Sequence, residues 1–294
     1  MASDTTYYTV SGRPRPAPRK NKRYSGGSAV VYLCSVVLIA LCMGPVLYIM
    51  VGGLKSNSEF TTAPAAFPSN PRWYQYGEVF QNPDFWRQFT NSTIIAVATT
   101  VGVVALGTMA GFAVARYPFK GAAGMYSLFA AGLMFPLTVA VTPLYLLVQF
   151  IGLLGDLPGV ILPQIAFQLP MTIVILVPFL RAIPYELEEA AAIDGCGRLG
   201  FFFRMVVPLA VPGMITVGIL AFVTSWNGYM LPLFILSSPD DYTLPLGVAA
   251  YATEHSVDTA RVLAFTSISM LPSLIFFSIF ERRIVGGLSG AVKG

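Results

Sequence analysis

Ser28-Ala-Val-Val-Tyr-Leu-Cys-Ser-Val-Val-Leu-Ile-Ala-Leu-Cys-Met-Gly-Pro-Val-Leu-Tyr-Ile-Met-Val-Gly-Gly-Leu54 is a run of 27 residues without a charge. A helix needs about 20 apolar residues to cross roughly 30 Å of hydrocarbon, so this run spans a bilayer with some tilt. It is too long for the apolar region of a signal peptide and lacks a clear small-x-small cleavage site before a polar domain, so it reads as a retained anchor. The rest of the chain repeats the pattern. Charge-free stretches run from Gln88 to Ala115, Gly121 to Gly155, Leu157 to Leu180, Met205 to Pro239 and Val262 to Phe280. Trimmed to membrane length they predict helices near 90–115, 123–150, 158–180, 207–234 and 262–280, six spans with 28–54. Periodicity does not set their ends, because the runs are apolar all round. The expected fold is all-α and embedded in membrane lipid.

Composition agrees. Hydrophobic residues make up 55% of the 294 and charged ones 11%, whereas a soluble surface needs roughly a quarter or more. The net charge of +4 gathers mainly in the first 23 residues, which marks the cytoplasmic side of a membrane protein rather than a nucleic-acid partner. Residues 1–27, rich in Pro, Arg, Ser and Gly, read as a disordered basic tail ahead of a membrane domain over 28–294. Cys34, Cys42 and Cys196 form no CxxC pair, and His255 stands without ligand-spaced partners, so no disulfide framework, metal site or cofactor is expected.

Lysine and arginine fix the topology. With the N-terminus inside, fourteen fall on the inner side, from Arg13 through Arg116, Arg181 and Arg198 to Lys293, and four on the outer: Lys55, Arg72, Arg87 and Arg261. Both termini are then cytoplasmic. The outer loop 55–87 carries Trp73, Tyr74 and Tyr76, which suit the lipid headgroup level.

The spans lack an engine. No Asp, Glu, Lys, Arg or His lies inside any trimmed span, although an intramembrane charge, costing about 2.5–3.5 kcal/mol to insert, usually persists where proton coupling needs one. The chain has no GxxxxGK[ST] phosphate loop and no Ser–His–carboxylate set. A transporter of this kind takes its energy from a partner. Sodium coupling through backbone carbonyls stays open.

Between the fourth and fifth spans runs Arg181-Ala-Ile-Pro-Tyr-Glu-Leu-Glu-Glu-Ala-Ala-Ala-Ile-Asp-Gly-Cys-Gly-Arg-Leu-Gly-Phe-Phe-Phe-Arg-Met-Val-Val-Pro208. Pro184 suits the first turn of a helix, and Glu186, Glu188 and Glu189 complement its dipole. Ala190, Ala191 and Ala192 favour helix with little bulk, and Gly195 after Asp194 can take the left-handed conformation that ends it. Leu199, Phe202 and Phe203 then stripe a second short helix leading to Pro208. Glu189-Ala-Ala-Ala-Ile-Asp-Gly195, with Phe203 and Pro208-Leu209, resembles the EAA loop of permease subunits of bacterial ABC importers, in particular the carbohydrate-uptake branch of the maltose and multiple-sugar type. Ser225-Trp-Asn-Gly-Tyr-Met-Leu-Pro-Leu233, Thr243-Leu-Pro-Leu-Gly247 and Gly287-Leu-Ser-Gly-Ala-Val-Lys-Gly294 are similar to further segments of that family, the last to the ending of its six-span subunit.

The resemblance implies a type I ABC importer permease fold in a bacterial cytoplasmic membrane, paired as a heterodimer with a second permease subunit. It implies two ATPase subunits that hydrolyse the ATP, an extracytoplasmic solute-binding protein and a carbohydrate substrate. The loop 181–205 would couple to an ATPase through Glu189, Ala190, Ala191, Asp194 and Gly195, with Phe203 and Pro208 behind them. Glu189 either pairs with a basic group of the ATPase or caps its own helix. Trp226, Asn227, Tyr229 and Gln168 are the candidates for the solute path, since amides and aromatic faces bind sugars; buried amides that bridge helices are the competing reading. A secondary carrier or channel for small polar solutes is the alternative function. A membrane-embedded enzyme built on Asp240, Asp241, Glu254, His255 and Asp258 is a third.

Overall fold

The computed structural model describes residues 27–117, 119–255 and 258–292, with side chains between 30 and 280 except Thr61. Of the sequence expectations, the tail at 1–27 (apart from Gly27) and the final Lys293-Gly294 lie outside the described residues. Every regular element among the described residues is helical: α1 Gly27–Gly52, α2 Asn57–Thr62, α3 Tyr74–Gln81, α4 Pro83–Arg116, α5 Ala122–Gly132, α6 Leu137–Phe150, α7 Leu157–Arg181, α8 Tyr185–Ile193, α9 Arg198–Phe201, α10 Val207–Trp226, α11 Met230–Ile235, α12 Leu244–Glu254 and α13 Thr259–Val292. Five helical stretches are long and apolar enough to cross a membrane, and a sixth crossing is made if the bent pair α5–α6 counts as one. The described chain falls into two units divided between Tyr48 and Ile49. The first carries most of α1; the second holds everything that follows.

Within the second unit α4 lies at the centre and packs along α7 and α10, with α13 against α10 and α12. Association in lipid depends on close packing rather than on hydrophobic burial, so small residues sit where the backbones approach. A Cβ placed on Gly107 of α4 would lie 2.4 Å from Thr172 Cγ2 of α7, and one on Gly102 as close to Ile165 Cδ1. Apolar clusters form at either end of α4. One gathers Phe112, Leu176, Leu180, Phe201, Phe202 and Val206. The other gathers Phe85, Ala96, Trp226, Leu244 and Phe265.

Local chemistry moves several helix ends from their expected places. α4 starts at Pro83, seven residues early, because Asn82 accepts a hydrogen bond from the Asp84 amide at 2.9 Å and Pro83 suits the first turn. The span expected as one helix over 123–150 is instead α5 and α6, bent by 102°. Pro136 lacks an N–H and disfavours helix at Phe135, which breaks the run there. The span expected over 207–234 ends at Trp226, and α11 begins at Met230. Its other end reaches back through a widened π turn at Phe202–Val206 to Arg198, so the second short helix expected before Pro208 is continuous with the span. The ring of Pro208 would crowd the carbonyl of an ordinary preceding turn, and the widened turn lies immediately before it.

At the other end of α4 from Arg116, the segment after α1 is held by a capping box. Ser56 caps α2, and Glu59 accepts from the Ser56 amide at 2.8 Å and from the Ser69 hydroxyl and amide. Donation from the Ser69 hydroxyl first, then from the two amides, lowers the Glu59 pKa from 4.5 to about 2. A carboxyl with a folded pKa below its unfolded value contributes stability that is present above 4.5 and lost as the pH falls through 2. Carbon-detected NMR titration should therefore put the Glu59 midpoint near 2, and an ordinary midpoint would show that the Ser69 and Ser56 contacts are not maintained. Lys55, only 2% exposed, completes this corner by donating to the carbonyls of Ala63 (3.1 Å) and Pro64 (2.7 Å).

Candidate functional site

α8 begins after Pro184, with Glu186 and Glu188 near its positive end, and terminates at Asp194. Gly195 takes φ +76°. Its amide donates to Ala192 O at 3.1 Å, and the Cys196 amide to Ala191 O at 2.8 Å. This pair of bonds is the Schellman stop, which a left-handed residue makes available. The chain turns here and re-enters the apolar body at Arg198.

The elbow has two faces. Leu187, Ala191 and Cys196 pack inward on the cluster of Phe112, Phe201 and Phe202. Glu189, Ala190, Ala192, Ile193, Asp194 and Gly195 face outward, and Ile193 is 86% exposed. The seven residues expected to couple are therefore divided. Glu189, Ala190, Asp194 and Gly195 share the outer surface, and Phe203 is exposed further along. Ala191 instead supports the elbow from beneath, as the i, i+4 neighbour of Leu187, and Pro208 belongs to the first turn of α10. Glu189 makes no contact that caps its own helix among those described.

Sequence reasoning missed what holds the elbow. Arg116, the last residue of α4, has a side chain with 0% exposure and lies under the start of α8. Its Nη1 donates to Ile183 O at 2.6 Å and its Nη2 to Pro184 O at 3.3 Å. Nε stands 3.3 Å from Glu188 Oε2, an ion-pair distance without the alignment of a hydrogen bond. The guanidinium also covers the Tyr185 ring at 4.2 Å. Arg198 stacks over Tyr117 at 5.1 Å. Burial first, then the Glu188 carboxylate, raise the Tyr117 pKa, against the opposing pull of Arg198 and Arg116. Losing the guanidinium leaves the buried Ile183 carbonyl without its donor, and a buried group left unsatisfied costs about 1–3 kcal/mol. The available signal is an arginine that closes a long apolar run and is followed by an aromatic residue.

The candidates for the solute path also separate. Between α7 and α10 lie two adjoining hollows that share Phe167, Gln168 and Thr224, with about 380 and 610 Å³ of open space. Gln164, Gly228 and Tyr229 also line the first, with Leu137 of α6 and Met230, Leu231 and Pro232 of α11. Gln168 and Tyr229 thus line this hollow. Trp226 does not: it is 4% exposed and its ring packs on Phe89 and Phe222, at 5.6 and 5.7 Å, in the core. Asn227 follows the bridging alternative, donating to Val223 O at 2.9 Å and to Ser273 Oγ of α13 at 3.3 Å. Gln164, 6% exposed, joins three helices by accepting from Thr99 of α4 and Ser225 of α10. The acidic residues considered for an enzyme are dispersed: Asp240 pairs with Arg87, His255 stacks on Tyr251 and Asp258 pairs with Arg261. Among the described residues no three His, Cys, Asp or Glu side chains are grouped to hold a metal.

A family model described as binding-protein-dependent transport system inner membrane component matches residues 104–285. The chain is 34% identical over 278 residues to the diacetylchitobiose uptake system permease protein NgcG of Streptomyces coelicolor, covering 94% of this chain and 91% of that one. It is 37% identical over 261 residues to the trehalose transport system permease protein SugB of Mycobacterium tuberculosis, covering 88% and 95%. In fold it is similar to a chain of a bacterial ABC transporter involved in the import of the acidic polysaccharide alginate, with a TM-score of 0.74 at 20% identity over 91% of this chain and 99% of that one.

Proposed function

The chain belongs to the family of binding-protein-dependent transport system inner membrane components, and from this premise we propose that it forms one half of the translocation path of an ATP-driven carbohydrate importer. In this reading it is a multi-pass subunit with both termini in the cytoplasm, the domain 28–294 preceded by a basic tail. It pairs with a second permease subunit, rests on two ATPase subunits that hydrolyse the ATP, and receives solute from an extracytoplasmic binding protein. The elbow over 181–205 docks into one ATPase. The single observation that carries the reading is the outward face of α8, where Glu189, Ala190, Ile193, Asp194 and Gly195 present one apolar side chain among acidic and small residues outside the apolar body.

The physics is that of a two-state element biased from one interface. A conformational change follows only from contacts that differ between the two states. Closure of the ATPase pair changes the contacts on the elbow, and the elbow moves the bundle as a rigid body. On the solute side, Gln168 and Thr224 on the shared wall and Tyr229 in the first hollow offer an amide, a hydroxyl and an aromatic face without a charge. That inventory suits a neutral sugar, in keeping with relatives named for diacetylchitobiose and trehalose uptake. A hydrogen bond contributes about 0.5–1.5 kcal/mol. Gln168→Ala is therefore expected to raise the half-saturating sugar concentration for transport about fivefold in the assembled transporter, with protein level unchanged. An unaltered value would remove Gln168 from the path.

The whole reading is tested by reconstituting this chain with its second permease subunit, ATPases and binding protein in liposomes, and offering labelled trehalose and diacetylchitobiose. Accumulation should require ATP inside the compartment that holds the ATPases. Accumulation by this chain alone under an ion gradient would overturn it in favour of a secondary carrier.

A further inference from the structure

We propose that Arg116 is a positioning residue that joins the elbow to the end of α4, so that movement of the elbow reaches the bundle through α4 as well as through the covalent continuity with α7 and α10. The inference rests on the elbow being the ATPase-docking element. Every partner of the Arg116 guanidinium comes from one short segment: the carbonyls of Ile183 and Pro184, the Tyr185 ring and the Glu188 carboxylate. That segment leads into α8 and forms its first turn. The guanidinium fork is directional, so these bonds fix how the segment is oriented as well as where it sits. An apolar side chain filling the same space would supply cohesion without orientation.

Two further contacts make the junction broader than one residue. Arg198, where the chain leaves the elbow, stacks on Tyr117, the residue after Arg116. Arg181, where the chain enters it, stacks on Tyr126 of α5 at 5.8 Å. Both margins of the elbow are thereby tied to the corner at which α4 gives way to α5. Leu187, Ala191 and Cys196 pack against the cluster to which Phe112, one turn back along α4, belongs. From this corner α4 runs through the centre of the unit against both α7 and α10, and Gly107 keeps it tight on α7. A displacement of α8 that preserves the Arg116 contacts must carry the end of the central helix with it.

The test uses the complete transporter in liposomes, with Arg116→Met, Arg116→Lys and Glu188→Gln. Three readouts are needed: recovery of the assembled complex, ATP hydrolysis with and without sugar-loaded binding protein, and sugar taken up per ATP hydrolysed. Arg116→Met should assemble but lose at least about tenfold in both binding-protein stimulation and uptake, with less sugar moved per ATP. Arg116→Lys keeps the charge but not the fork, and should show most of the same loss. Glu188→Gln leaves both carbonyl bonds in place and should lose no more than about threefold. If all three variants lose uptake only in proportion to lost assembly, Arg116 is a folding anchor and the proposal is overturned. Unchanged stimulation and stoichiometry in Arg116→Met would overturn it equally. Gly195→Val separates this from the docking reading itself: if Gly195→Val abolishes uptake while Arg116→Met does not, only the role of Arg116 fails, and if Gly195→Val also transports normally, the docking reading fails.

Discussion

Gly195→Val is expected to reduce ATP-driven uptake by up to about a hundredfold while the protein reaches the membrane in its usual amount. Gly195 has φ +76°, and a Cβ built there meets nothing within 4 Å. The substitution is therefore opposed by the backbone and not by its surroundings. A left-handed conformation costs an ordinary residue roughly 1–2 kcal/mol, and more for a β-branched one. The valine chain relieves that strain by giving up the bonds from Gly195 N and Cys196 N that terminate α8. The two bonds given up contribute about 0.5–1.5 kcal/mol each, and each 1.4 kcal/mol is a factor of ten, so a docking surface held by this turn loses up to about two orders of magnitude when the turn opens. Insertion depends on the spans, which lie elsewhere. Gly195→Asn is the informative companion, because asparagine tolerates the left-handed region; it should keep a large part of the activity. Equal loss in both variants would mean that a side chain at this surface, rather than the turn, is what the partner refuses.

Gly107→Leu acts on the fold itself. A Cβ alone would sit 2.4 Å from Thr172 Cγ2 and 3.2 Å from its Cβ. α4 and α7 must part, or Thr172 must leave its place, and α7 also holds Gln168 and Gln164. Overpacking by a few methylenes costs about 1–3 kcal/mol, and a four-carbon side chain between two central helices lies at or beyond the upper figure. At roughly 2–4 °C per kcal/mol for a domain of this size, thermal unfolding in detergent should fall by about 10 °C, with a loss of protein recovered from the membrane. Gly124→Leu is the control, since a Cβ at Gly124 meets nothing within 4 Å. A shift as large in the control would trace the effect to helix propensity or handling instead of the α4–α7 contact.

How much of this could be read from the residues follows from what each feature depends on. Charge-free length is a local property, so the five long apolar helices, and the bent pair α5–α6 as one apolar stretch, were legible from 28–54 onward. The stop at Gly195 was legible for the same reason: Asp-Gly after an alanine run is a local signal with one physical outcome. Helix ends were less so, because Asn82 and Pro136 act through caps and missing donors that hydropathy does not weigh. The site was half legible. Gln168 and Tyr229 face the hollow between α7 and α10, but nothing within Ser225-Trp226-Asn227 says which way the indole turns. That depends on Phe89, 137 residues away in sequence. Arg116 was the clearest miss, since its partners begin 67 residues later and exist only once α4 and α8 have met.

The widened turn at Phe202–Val206 carries a consequence of its own. An α-helix advances about 100° per residue, so the angular phase between the elbow and the membrane part of the same helix is set by how many residues lie between Arg198 and Pro208. Substitutions there change packing by degrees. The loss or gain of one residue would instead rotate Ile193 and its neighbours by about a quarter of a circle, so a change of length here should disturb the elbow more than a substitution does.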